Sequence, residues 1–222
     1  MTDKNPEIIK NIFNDIAGYY DKMNSIISFG LHYLIKKSAI NLLCIKENSL
    51  ILDLCCGTGD ITKIVNAVSP SSKVIGVDNS EKMLIKAKMK NPDNLFVQAD
   101  CTNLPFKNSE FDYASISFGL RNIQNRTSAI SEIYRVLKSD GKFLHLDFGE
   151  HNIFSKIFDF SLTVIINIVP INKEHYKYLI ESKKQYPRPT ELINEFKNAG
   201  FSFIKKKNYL FGVITAIIMQ KQ

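Results

Sequence analysis

Cysteine and histidine are scarce. The 222 residues hold four of each, with the cysteines at 44, 55, 56 and 101. None forms a C-x-x-C pair and no cysteine–histidine spacing suits zinc, so neither a zinc site nor any other metal site is expected. A secretory apolar region is missing as well, because the opening MTDKNPEIIK carries acidic residues and Pro6 in its place. Together these absences fit a reduced, cytoplasmic compartment. No apolar run reaches the roughly 20 clean residues a membrane span needs. The longest, Ile153 to Ile171, is broken by Lys156, Asp159, Asn167 and Pro170, and is not read as transmembrane. Internal repeats and low-complexity stretches are also lacking. The net charge of +7, from 29 basic against 22 acidic residues, is scattered over small clusters at Lys36–Lys37, Lys183–Lys184 and Lys205 to Lys207. No basic stripe interleaves with aromatics, so nucleic acid is not an expected partner and the charge reads as solvated surface.

What remains is ordinary for one globular domain, 45% hydrophobic and long enough to bury a full core. Residues 7 to 46 carry apolar positions at helical spacing (Ile9, Ile12, Phe13, Ile16; Ile26, Ile27; Leu31, Leu34, Ile35), interrupted by SFG at Ser28 to Gly30, which predicts two or three helices. Short apolar runs at 50–54, 73–77, 94–97, 113–118 and 142–148 then alternate with amphipathic segments. That alternation predicts an α/β fold with a parallel sheet and helices on both faces. Two final runs, at 201–210 and 211–219, follow each other closely enough to pair antiparallel.

The run at 50–54 ends in LDLCCGTGDI, Leu52 to Ile61. Gly57 and Gly59 permit close approach of a ligand to bare main chain between a strand and a helix beginning near Asp60. The dinucleotide fingerprint G-x-G-x-x-G fails, since its third glycine would fall at Thr62. Asp78 ends the second strand, 78 − 57 = 21 residues beyond the first glycine, about the spacing at which an acid meets ribose hydroxyls. The competing role for Asp78 is to cap the helix starting near Ser80. Asp100, in VQADCTNLPF after the third strand, is placed to accept from an adenine amino group with Cys101 beside the ring, and Asp-x-x-Asn is equally a turn sequence.

Together these elements resemble the class I S-adenosylmethionine-dependent methyltransferases, whose first motif is matched by Asp53, Gly57 and Gly59, with Cys55 where a glycine would stand. Cys55 and Cys56 are then packing residues rather than a redox pair. FNDIAGYYDKMNSIISFG, CCGTGD, ISFGLRNI at 116–123 and YRVLKSDGKF at 134–143 are similar to the ubiquinone/menaquinone biosynthesis C-methyltransferases over nearly the whole chain. The tail departs from that family, because GVITAIIMQKQ lacks its histidine. The resemblance implies a Rossmann-like, mostly parallel seven-stranded sheet with an antiparallel last strand. It divides the single domain, 1–222, into an N-terminal helical cover (1–48), a cofactor-binding core (49–150), an apolar substrate-side insertion (151–190) and a C-terminal helix and strands (191–222). It further implies S-adenosylmethionine as methyl donor, held by Gly57, Thr58, Gly59, Asp78, Asp100, Cys101 and Ser117, with Tyr19, Tyr20 and Asp21 in the helices folding over it.

The implied reaction is C-methylation of a reduced prenylated quinone, a benzoquinol or a naphthoquinol. Arg121, just after the fourth strand, is the candidate to stabilise a phenolate, since a guanidinium is a poor base at neutral pH. Asp147, ending the fifth strand, is the other catalytic candidate. His145 is placed away from Asp147's neighbours, packed within the sheet. Residues 153–171 form an apolar cover for the prenyl tail or a peripheral membrane contact, with Lys156 and Asp159 on one helical side; packing on the core or a homodimer contact is the plainer alternative. Other readings are methylation of another small molecule or of RNA, and a nucleoside-binding scaffold without catalysis.

Overall fold

The computed structural model describes residues 4–168 and 173–222. Three helices open the chain: α1 (Pro6–Ile16), α2 (Tyr20–Ile27) and α3 (Leu31–Asn41). Asn5 caps α1 by accepting from the Glu7 amide, and Pro6 occupies its first turn, where the missing N–H is not needed. The SFG break between α2 and α3 is made by Phe29 and Gly30, both at positive φ.

Alternating elements follow: β1 (Leu50–Leu54), α4 (Asp60–Val68), β2 (Lys73–Asp78), α5 (Glu81–Lys90), β3 (Leu95–Gln98), β4 (Phe111–Ser117), α6 (Arg126–Val136) and β5 (Leu137–Phe148). Next come α7 (Ile153–Ile168), α8 (Lys173–Lys184), α9 (Pro189–Asn198), β6 (Phe201–Tyr209) and β7 (Ile214–Lys221). The seven strands form one sheet in the order β3-β2-β1-β4-β5-β7-β6. All neighbours are parallel except those of β7, which runs antiparallel to both β5 and β6. Parallel strands with helical crossovers bury both faces, hence their continuous apolar runs. On one face Ile40, Leu43, Ile64 and Val65 pack against Ile51, Leu144 and Ile218. On the other, Ile130, Ile133, Leu192 and Phe196 pack against Leu52, Ile116 and Phe143.

β5 starts five residues before the expected Lys142. Its pairing with β4 shifts between Phe111 and Tyr113, and Asp140 takes a positive φ there. That irregularity hides a strand start inside the turn-like LKSDG. Several polar residues lie deep in the sheet, among them Asp53, Ser115, His145 and Asp147. Asp53, centred in β1 and 1% exposed, accepts from Ser115 Oγ of β4 at 3.1 Å and from Thr62 Oγ1 of α4 at 3.2 Å. Burial pushes its carboxyl up to about 7, against the pull of those two hydroxyls.

α7 carries the insertion, whose last three residues, 169–171, lie outside the described residues. Its two charges part company. Lys156 is exposed, whereas Asp159 pairs with Lys183 of α8, itself 3% exposed and set over the Phe148 and Phe158 rings. No described helix is long and apolar enough to cross a membrane.

Candidate active site

Strand order reverses between β1 and β4, so the loops leaving these strands diverge and open a crevice beyond their carboxyl ends. A cavity of about 230 Å³ lies there. Its floor is Cys55 and Gly57 after β1, Asp78 and Ser80 from β2, Asp100 and Cys101 after β3, and Ser117 to Gly119 from β4; Ile9 and Phe13 of α1 and Tyr20 of α2 form the roof.

Gly57, at φ +54°, donates its amide to Asp78 Oδ2 at 2.8 Å. A side chain there would extend toward the Tyr20 ring, so bare main chain faces the cavity. Asp78 Oδ1 accepts from the Ser80 amide at 2.9 Å, while the cap of α5 is Ser80, whose Oγ accepts from Met83. The capping alternative for Asp78 therefore falls to its neighbour. Burial raises the Asp78 carboxyl, and the amides of Ser80, Gly57 and Asn79 hold it down. Each carboxylate oxygen has two lone-pair directions, so Asp78 retains capacity for ligand hydroxyls. Asp100 makes the expected turn, its Oδ1 accepting from the Thr102 amide at 2.8 Å, and the residue also lines the cavity. Ser117 Oγ is buried in the wall, with no hydrogen-bond partner among the described residues.

Cys55 stands at φ +50°, a left-handed conformation that explains why a glycine suits this position. Its side chain fits because Gly119 has none: a Cβ there would come within 2.4 Å of Cys55 Cβ. Its sulfur lies 3.7 Å from that of Cys101, both thiols free, and the thiol–thiol contact together with burial pushes Cys55 well above the ordinary thiol range. Both behave as packing thiols.

Two residues expected on the cofactor line no described cavity. Thr58, 2% exposed, donates to Asp21 Oδ1 of α2 and accepts from Lys90 Nζ at 3.0 Å. Gly59, at φ +81°, lets α4 pack on α5, where a Cβ would sit 2.7 Å from Asn91 Nδ2. Around Thr58 runs a charge network the sequence reading missed. Lys90 reaches Asp21 at 2.9 Å and Asp60 at 2.8 Å, and Lys36 reaches Asp60 at 2.9 Å. Burial opposes ionisation of Asp60, yet the two lysines bring it well below the usual carboxylate range. Asn14 of α1 accepts from Ser80 Oγ at 2.7 Å, so both roof helices are tied to the core by polar bonds.

A second cavity, of about 150 Å³, shares Phe13, Tyr20, Ser117 and Phe118 with the first and continues between α2, α3, α7 and α8. Its wall is largely apolar, with Ile16, Met23, Ile27, Phe148, Phe158 and Leu179. Arg121 lines it. Arg121 Nη1 bonds the Phe118 carbonyl and Asp147 Oδ1, the latter at 3.0 Å, and the guanidinium lies 5.2 Å from the Phe148 ring centroid. Asp147 is fully buried and lines neither cavity, so it reaches the second one only through Arg121. Burial raises its carboxyl while Arg121 pulls it down. His145 is packed within the sheet, its Nε2 2.7 Å from Tyr186 Oη. It shares a face with Asp147 rather than pointing away from it, because side chains two apart on a strand lie on the same side. Tyr178, with its hydroxyl on Asn122 Oδ1 at 2.9 Å, and His32 also line this cavity. Neither stood out in the sequence, since a lone histidine or tyrosine in a helical segment carries no chemical spacing.

A seven-stranded sheet of this order, with a cavity at its reversal point, is the class I methyltransferase architecture. A SAM-dependent methyltransferase of Thermotoga maritima superposes with a TM-score of 0.71 at 19% identity, covering 96% of this chain and all of that one. The cyclase SpnF shares the fold too, with a TM-score of 0.64 at 14% identity over 85% of this chain and 81% of its own. Residues 1–221 match the ubiE/COQ5 methyltransferase family, and the chain belongs to it. Its relatives include the demethylmenaquinone methyltransferases of Staphylococcus carnosus, 38% identical over 93% of this chain and 90% of that one, and of Geobacillus stearothermophilus, 33% identical over 96% of each.

Family and fold imply S-adenosylmethionine as methyl donor, and the first cavity suits it, with an acid at each of two strand ends, a bare glycine amide turn and an unpaired buried hydroxyl at Ser117. Calorimetry should show Asp78→Ala weakening donor binding by about 1.5–3 kcal/mol, the scale of hydrogen bonds to a charged group. Unchanged affinity would take Asp78 out of the set.

Proposed function

We propose that this methyltransferase C-methylates a reduced prenylated quinone, with demethylmenaquinol as the substrate the named relatives favour. The observation that supports the reading best is the pair of adjoining cavities, one bringing Asp78, Asp100 and the bare Gly57 turn together and so suited to a nucleoside, the other largely aliphatic and aromatic with a guanidinium in its wall.

In this reading Gly57, Asp78, Asp100, Cys101 and Ser117 hold the donor, which supplies an electrophilic sulfonium methyl when bound. A ring carbon is a weak nucleophile. The hydroquinone gains strength as its phenolic proton leaves, and the carbon–methyl bond then forms as the sulfur–methyl bond breaks. Loss of the ring C–H proton to water restores aromaticity, and the phenolate oxygen takes a proton back, so one proton is released per methyl transferred. Arg121 stabilises the developing phenolate, a charge it meets in an apolar, water-poor wall where such attraction is strong. Asp147 is a positioning residue that fixes the guanidinium through its Nη1. Phe13, Tyr20 and Phe118 keep the ring and the methyl in line and exclude water.

The prenyl tail leaves through the mouth beside Phe158 and Leu210. Outside that mouth Phe154 stacks on Phe211 at 4.6 Å, and Ile153, Ile157, Phe160 and Val164 are exposed on α7. This apolar face, with exposed Lys156 beside it on the same helix, rests on a membrane surface from which the tail is drawn.

Three outcomes follow. With a short-tailed demethylmenaquinol, turnover requires a reductant, and mass spectrometry places the new methyl on ring carbon. Equal turnover of the oxidised quinone, or an O-methyl product, defeats the reading. Arg121→Lys keeps the charge but loses the planar guanidinium whose Nη1 bonds Asp147. Its kcat should fall about 100-fold with donor affinity unchanged, and an unaltered kcat would reduce Arg121 to a structural ion pair. Last, the protein should float with vesicles containing anionic lipid, and Phe160→Asp/Phe211→Asp should lower the bound fraction several-fold. Equal flotation of both proteins, or none by either, removes the membrane contact.

A further inference from the structure

The reaction needs a group that takes the phenolic proton, and the arginine that faces the ring cannot be that group. Resting on the quinol reading above, we infer that His32 is the proton acceptor. Among the described residues, the titratable side chains lining the second cavity are Tyr19, Tyr20, His32, Lys36, Arg121 and Tyr178. The tyrosines are phenols themselves, no more basic than the substrate, and burial pushes Tyr178 up to about 12. Arg121 is a guanidinium, and Lys36 is an ammonium held by Asp60 at 2.9 Å. His32 alone offers a neutral nitrogen base.

The surroundings of His32 fit that task. It sits in the first turn of α3, its side chain 16% exposed. Among the described residues Nδ1 has no hydrogen-bond partner and lies buried 3.8 Å from Asp60 Oδ2, while Nε2 lies 3.3 Å from Ser25 Oγ, whose own hydrogen goes to the Asp21 carbonyl at 3.0 Å rather than to the ring. An acid behind one ring nitrogen favours a proton there, which leaves the other nitrogen to accept. Asp60 orients the ring without charging it, because its own charge is spent on Lys36 and Lys90. Burial and then Lys36 lower the pKa of His32, while Asp60 and Asp21 raise it and Lys90 lowers it. The net effect keeps the imidazole unprotonated at neutral pH. As the ring carbon takes the methyl, the phenolic O–H bond breaks and its proton moves to His32 Nε2, leaving imidazolium beside Asp60. Bulk water then takes that proton.

Single-turnover rates of wild type and His32→Gln, with demethylmenaquinol and saturating donor, test this across pH 5 to 9. Wild type should lose rate as pH falls below a midpoint under 6.5. The variant should be about 100-fold slower, with donor affinity and quinol KM within twofold and the acid limb gone. In His32→Ala, added imidazole should restore rate in proportion to its free-base fraction. A variant rate within threefold of wild type, an acid limb that persists, or a loss that imidazole leaves untouched overturns the assignment while wild-type turnover upholds the quinol reading. Wild type inactive on the quinol overturns both.

Discussion

The hydrogen bond between the Gly57 amide and the Asp78 carboxylate, 2.8 Å long, is the constraint on which the site depends. It joins the loop after β1 to the end of β2, so the bare turn and the acid 21 residues later become one surface. Burial raises the carboxyl, and the amides around it offset only part of that desolvation. Because the acid is already oriented by the protein, a ligand hydroxyl meets an acceptor that needs no rearrangement.

The roof is built on a different principle. α1 buries no residue fully, and its apolar stripe at Ile9, Ile12, Phe13 and Ile16 faces the cavities rather than a packed core. Polar bonds position it and α2: Asn14 on Ser80, and Asp21 on Thr58 and Lys90. Such contacts are directional and individually weak when partly solvated. A cover held this way is completed by what it covers, which is why the apolar stripe of α1 only makes sense beside a ligand.

Much of this was legible in the chain. Period and spacing located β1 at its observed bounds and every other strand but β5 to within three residues, because buried strands must read as short apolar runs between helical segments. The early start of β5 was hidden by the polar SDG stretch. At the site, Gly57, Asp78, Asp100, Cys101 and Ser117 share one cavity, since each ends a strand at the same sheet edge. Pairings across strands were out of reach. Arg121 and Asp147 lie 26 residues apart and meet only because β4 and β5 are neighbours. Thr58 turned toward Asp21, a residue 37 positions earlier, and no local spacing announces such a contact.

The wall common to the two cavities has a further consequence. Phe13 and Tyr20 in the roof, and Ser117 and Phe118 in the floor, belong to both. A ligand that settles these side chains on one side settles them on the other, so the second arrival meets a surface already ordered and loses less entropy on binding. Cooperativity of this kind is reciprocal: whatever factor the donor lends to acceptor affinity, the acceptor lends back to the donor.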